Sequence, residues 1–166
     1  MADLIVIGVD PGYVTGIAVT DVDARKIYVG YQDYHWEAVD GITEWLSHRN
    51  ATIVMIFCEK YTITQNTVKM TRQDHALKVC GALEWFARRH DYLYEEQSKA
   101  TAGKIAQDAR LREMGLYVRT QGGHANDATR HLLLGMERKT PTLLERDPLI
   151  GYNGDFEIVT RLKGST

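Results

Sequence analysis

The chain has 166 residues, 44% of them hydrophobic and 25% charged, with a formal net charge of −2. That length suits one globular domain with a full-sized core and is too short for two. No apolar run approaches the roughly 20 residues that a membrane-spanning helix needs. The near-neutral total hides an asymmetry: residues 1–59 hold 3 Lys/Arg against 9 Asp/Glu, residues 60–119 hold 11 against 7, and the remainder 6 against 6. A basic middle third can form a phosphate-binding face beside an acidic cation site, or can be scattered charge on solvated helices.

The opening MADLIVIGVD carries no basic leader or cleavage-site pattern, so a first strand is expected at once. Leu4 to Asp10 is apolar on both faces, as a central sheet strand is. Thr15 to Thr20 and Lys26 to Tyr31 are rich in β-branched and aromatic residues and read as two antiparallel neighbours. Trp36, Val39, Ile42, Trp45 and Leu46 recur at helical spacing, predicting an amphipathic helix over His35 to His48. Thr52 to Cys58 is a second buried strand. A long helical stretch follows, with Ala76, Leu77, Cys80, Leu83 and Phe86 on its expected inner face. Tyr92 to Glu95 reads as a short strand, and Lys99 to Met114 as one helix stopped by Gly115. Gly122-Gly123 breaks the chain before a last helix from about Ala125 to Arg138.

After Thr140 the composition shifts to Pro141, Pro148, Gly151 and Gly154 around a brief apolar FEIV segment. Residues 1–139 are therefore expected to form the domain, and 140–166 an extension packed on it or trailing it, with one edge strand. The order β-β-β-α-β-α-β-α-α describes an α/β fold: a mixed five-stranded sheet with helices on both faces. Cys58 and Cys80 both sit in apolar runs and read as buried, reduced thiols of a cytoplasmic protein.

Three carboxylates stand where apolar elements end or begin. Asp10 closes LIVIGVD before Pro11-Gly12, Glu59 closes TIVMIFCE, and Asp127 opens the last helix within GGHANDATRHLLLG. An unpaired charge ending a buried strand costs several kcal/mol or so, and two such strands suggest a cation between them. The ordinary readings are a turn-initiating Asp, an exposed strand-end Glu paired with Lys60, and a helix-start acid favoured by the dipole. Gly16, following the DPG turn, is a small residue that would let a phosphate or metal approach. His124 lies three residues before Asp127, so both can face one site; a loop histidine is the alternative. His131, four beyond Asp127, reads as a helix-surface or packing residue.

The segments GVDPGYVTGIAV, FCEKYTIT, DHALKVCGALEWFA, GKIAQDARLREMGL and HANDATRHLLLG resemble, in order and spacing, those of RuvC-type Holliday-junction resolvases, including their short bacteriophage relatives. The resemblance runs from about Leu4 to Met136. It implies an RNase H-like fold, a homodimer, and Mg2+-dependent nicking of branched DNA (four-way junctions, forks or flaps) in recombination and repair. It also implies metal-binding and catalytic roles for Asp10, Glu59 and Asp127, and for His124, where family members carry Asp or His. Two ions per site follow from that resemblance, with Mn2+ able to substitute. The DNA contacts implied are Lys99, Lys104 and Arg110, with Arg112 beside them, and Tyr61, Lys69 and Arg72 after the strand-end Glu. The family often places an aromatic wedge three positions after that Glu; here the position is Thr62, next to Tyr61. The rival readings are an RNase H-like nuclease acting on RNA or RNA–DNA hybrids, and a non-catalytic junction-binding protein.

Overall fold

The computed structural model describes residues 4–22, 24, 26–49, 51–63, 74–140 and 157–159. Its centre is the apolar run identified above: β1 (Leu4–Asp10) is buried from Ile5 onward. β2 (Val14–Asp21) and β3 (Lys26–Tyr34) follow it as an antiparallel meander. On the other flank β4 (Ile53–Glu59) and β5 (Leu93–Gln97) lie parallel to β1. The FEIV segment supplies β6 (Glu157–Val159), which pairs in parallel with β3 and extends the five expected strands to six. The sheet order is β5-β4-β1-β2-β3-β6, so β1 and β4 are interior and covered on both faces.

Strand alternation sends Ile5, Ile7 and Val9 to one face, where α1 (His35–Ser47) and α2 (Asp74–Arg89) close the larger core with Ile42, Val79 and Leu83. Val6 and Phe57 face the other way, against α4 (Asp108–Glu113) and α5 (His124–Lys139). Each fully buried Ile, Leu or Phe contributes roughly 1.5–3 kcal/mol, so this double covering holds the strand ends in place. Cys58 and Cys80 are free and buried, with sulfurs 3.7 Å apart. Among the described residues no helix is long and apolar enough to cross a membrane.

Two expectations need correction. Leu77 is 44% exposed, and Val79 takes its place on the inner face of α2. The single helix expected over 99–114 is two, α3 (Lys99–Ile105) and α4, with Ala106 extended between them at φ −147° and ψ 107°. The break has a partner: the Ala106 carbonyl accepts a hydrogen bond from Arg130 Nε at 2.7 Å, which replaces the helical bond forgone there.

Candidate active site

Asp10 is 4% exposed at the end of β1, directly opposite Gly16 of β2. The turn between them is pinned by Thr15, whose hydroxyl accepts from the Gly12 N–H at 3.2 Å and donates to the Gly12 carbonyl at 3.0 Å. Gly16 does not open room for a ligand, as its size suggested. A Cβ there would lie 2.0 Å from the His124 carbonyl oxygen, and one on Gly8 would lie 2.1 Å from that of Ala128. The two glycines let the first turns of α5 rest on bare backbone, which carries His124 and Asp127 to the end of β1. Gly122 and Gly123 both have positive φ, 79° and 74°, and turn the chain into that helix. His124 Nδ1 reaches Asp10 Oδ2 at 2.7 Å.

Glu59 ends β4 and pairs with Gln97 of β5. Beneath both lies His131, fully buried, with Nε2 3.4 Å from Glu59 Oε2. Lys99, the first residue of α3, directs its ammonium into the acids, 2.9 Å from Asp127 Oδ2 and 3.5 Å from Glu59 Oε2. The other Asp127 oxygen is bound by Arg130 Nη1, and Arg130 Nη2 binds Asp108. Arg130 thereby ties the start of α5 to the α3–α4 break.

The charges are mutually dependent. Burial raises the Asp10 pKa, and the hydrogen bond from His124 only partly offsets it. The same bond raises the His124 pKa. Burial alone would raise Glu59, but His131, Lys99 and Asp10 together hold its carboxyl below the ordinary value. Burial works against the charged Lys99, yet its bond to Asp127 and the fields of Asp10 and Glu59 keep its pKa raised. This is a site with surplus negative charge, presently balanced by side-chain cations.

Such a donor set suits a hard divalent ion: three carboxylates and one imidazole, oxygen-rich, at the edge of a buried sheet. Among the described residues no three His, Cys, Asp or Glu side chains are already drawn together closely enough to hold an ion. The Lys99 ammonium stands where the carboxylates converge, which marks a cation position. In donor chemistry the residues fit Mg2+ or Mn2+.

The structure brings together all four acid and imidazole residues expected at the site, Asp10, Glu59, His124 and Asp127. Of the expected DNA contacts, Lys99 is inside the acidic group, Lys104 is exposed on α3, and Arg110 is half-buried and paired with Glu113 at 2.7 Å. Tyr61 is half-buried two residues beyond Glu59, and Lys69 and Arg72 lie outside the described residues. Sequence reasoning missed Arg130 and undervalued His131. Helical spacing of three and four from Asp127 was the available signal. A cavity of about 260 Å³ opens beside the acids, lined by Lys99, Gly103, Gln107, Asp127, Arg130 and His131 among others.

No family model matches the chain, and neither does any curated protein. Solved structures do. A Thermus thermophilus RuvC structure aligns at TM-score 0.55 and 14% identity, covering 83% of this chain and 97% of that one. The T. thermophilus RuvC in complex with Holliday junction substrate aligns at TM-score 0.53 and 17% identity, covering 82% and 96%. The fold is RuvC-like, an RNase H-like α/β architecture.

Proposed function

We propose that this chain is a structure-selective endodeoxyribonuclease that nicks branched DNA, four-way junctions foremost, and that it works with Mg2+ as a homodimer. The observation that carries the reading is the convergence of Asp10, Glu59, Asp127 and His124, from two interior strands and one helix start, around a cation position. The RuvC-like fold, shared with a T. thermophilus RuvC in complex with Holliday junction substrate, supports branched DNA as the substrate class.

Asp10, Glu59, Asp127 and His124 would hold the divalent ions, and Mn2+ would serve in their place. When bound, such ions supply the charge that makes water a nucleophile and steadies the leaving oxygen. The chain's own contribution is placement. The parallel β1–β4 ladder sets the backbones of Asp10 and Glu59 side by side at neighbouring strand ends. His124 orients Asp10 through Nδ1, and Arg130 orients Asp127. Lys99, released from the carboxylates, is free to meet a backbone phosphate. Lys104, on the outer surface of α3, would add a contact that positions DNA without reading bases.

The dimer has support in α2. Leu77, Gly81 and Trp85 follow one another at four-residue spacing along its outer face; Trp85 is 64% exposed, and nothing lies within 4 Å of a Cβ built on Gly81. An exposed apolar stripe of this kind on a helix suits a second copy of itself across a twofold axis.

The deciding experiment incubates the protein with a mobile four-way junction, a Y-fork, a flap, a linear duplex and an RNA–DNA hybrid, with and without Mg2+. Metal-dependent nicking of the branched DNA and sparing of the duplex is the expected outcome. Preferential cutting of the hybrid would instead assign an RNase H-like activity to the same carboxylates.

A further inference from the structure

His131 is a buried titratable side chain that nicking chemistry does not call on, yet it is tied at both nitrogens. Nε2 faces Glu59 Oε2 at 3.4 Å. Nδ1 faces the Gln97 side-chain amide at 3.0 Å. With its nitrogen turned towards His131, that amide donates to Nδ1 and, at 3.1 Å, to the His131 carbonyl, while its oxygen accepts from the Gly135 N–H at 3.3 Å. The opposite orientation would set the amide oxygen against the His131 carbonyl, acceptor against acceptor. The amide therefore fixes the tautomer: Nδ1 accepts, so Nε2 carries the proton and gives it to Glu59. Gln97 itself is 1% exposed and is the β5 partner of Glu59, and its carbonyl accepts from the Lys60 N–H at 2.7 Å.

From this geometry we infer that His131 and Gln97 are positioning residues for Glu59, holding its Oε2 so that Oε1 is presented to a divalent ion. The contacts of Glu59 with His131 and Lys99 both fall on Oε2. A strand-end carboxylate has two free torsions beyond Cβ; a donor fixed in the helix behind it removes that freedom before any ion arrives. The same helix carries Asp127 four residues earlier, so one rigid element aims two ligands. The inference rests on the metal reading proposed above and adds to it which buried pair sets the ligand geometry.

Two replacements at one position separate positioning from packing. Gln places its amide nitrogen near the Nε2 position, whereas Asn reaches only the Nδ1 side. Full-length wild type, His131→Gln and His131→Asn are titrated with Mn2+ by calorimetry, and their metal-free thermal melts are recorded alongside. Outer-shell partners of metal ligands typically change affinity by about 10–100-fold. His131→Asn should lose Mn2+ affinity in that range, and His131→Gln should stay within about threefold of wild type. Gln97→Met reads the same device from the strand side and should also weaken Mn2+, which keeps the test open if a position-131 variant misfolds. Equal affinities for the Asn and Gln variants, whatever their melting temperatures, would overturn the inference. Wild-type protein that takes up no Mn2+ would overturn the metal reading and this inference with it, a result distinct from the first.

Discussion

Gly16 and Asp10 are cross-strand partners, and the absent side chain of Gly16 is what allows the His124 carbonyl to lie over it. The metal-ligand candidate on β1 and the helix that brings His124 and Asp127 are thus fitted together by a hydrogen atom. Gly16→Ala forces the start of α5 away from the sheet, because the clashing atoms are backbone and cannot rotate aside. Overpacking of this kind costs about 1–3 kcal/mol. The expected outcome is a lower melting temperature together with a loss of nicking larger than the loss of junction binding, measured on the same preparation by thermal melt, nicking assay and gel shift.

Asp10→Asn tests the acid itself. The carboxylate is buried and its company is His124, Glu59 and Lys99, so the amide keeps the shape and removes one unit of charge. Nicking should fall by more than about 100-fold, beyond the usual effect of an outer-shell change, while the junction affinity in EDTA is kept or improved as repulsion of phosphate declines. A variant that binds and cuts like wild type would show that the site is misassigned.

Much of this was legible because a charged residue ending an apolar strand is a local anomaly. Asp10 and Glu59 could be picked out from their own neighbours, and the Gly-Gly before His124 announced a turn into a helix. What could not be read depends on which segments meet. Arg130 finds Ala106 and Asp108, 24 and 22 residues away, only after α3 and α4 fold against α5. His131 is a packing residue by pattern; that it packs against Glu59 and Gln97 follows from β5 adding beside β4. Lys99 reads from sequence as a phosphate contact on a helix beside the site, because periodicity cannot show that α3 starts at the carboxylates. Leu77 reads as inward from its hydrophobicity, whereas the outer face of α2 is itself apolar in part.

Lys99 and Lys104 should now separate in their effects. Lys104 is exposed, so Lys104→Ala should weaken binding evenly across DNA sequences and lower the salt slope by about one unit if one phosphate contact is lost. Lys99→Met should do more to the metal-free protein: with the ammonium gone, Asp127 and Glu59 lose a shared cation, and the melting temperature in EDTA drops. Adding Mg2+ should then raise it further than in wild type. Equal Mg2+-induced shifts in the two proteins would remove Lys99 from the cation position.

His124 holds Asp10 through Nδ1, so its removal leaves a buried carboxylate without its hydrogen-bond partner. His124→Ala should lose most nicking while remaining folded. His124→Asp should keep substantial Mg2+-dependent activity, since an oxygen donor replaces a nitrogen one in a site suited to hard ions. Metal-titrated nicking of both variants decides this, and equal activity in the two would reduce His124 to a helix-start residue.

Trp85 carries the dimer proposal. Its ring projects from the outer face of α2 with Arg89 alongside, 5.8 Å from guanidinium carbon to ring centroid, and with Gly81 and Leu77 one and two turns back. Trp85→Glu places a charge in the middle of that stripe without touching the inner residues Val79 and Leu83, so the fold should be kept. If the stripe is the twofold contact, two copies would bring their introduced charges close together, and a desolvated like-charge pair opposes association strongly. Sedimentation velocity across a concentration series should show wild type moving from monomer to dimer and the variant remaining monomeric, with melting temperature at low concentration unchanged. A variant that dimerises like wild type would move the interface off α2. A monomeric variant that still binds one arm of a junction, but no longer makes paired nicks across it, would tie the second copy to resolution itself.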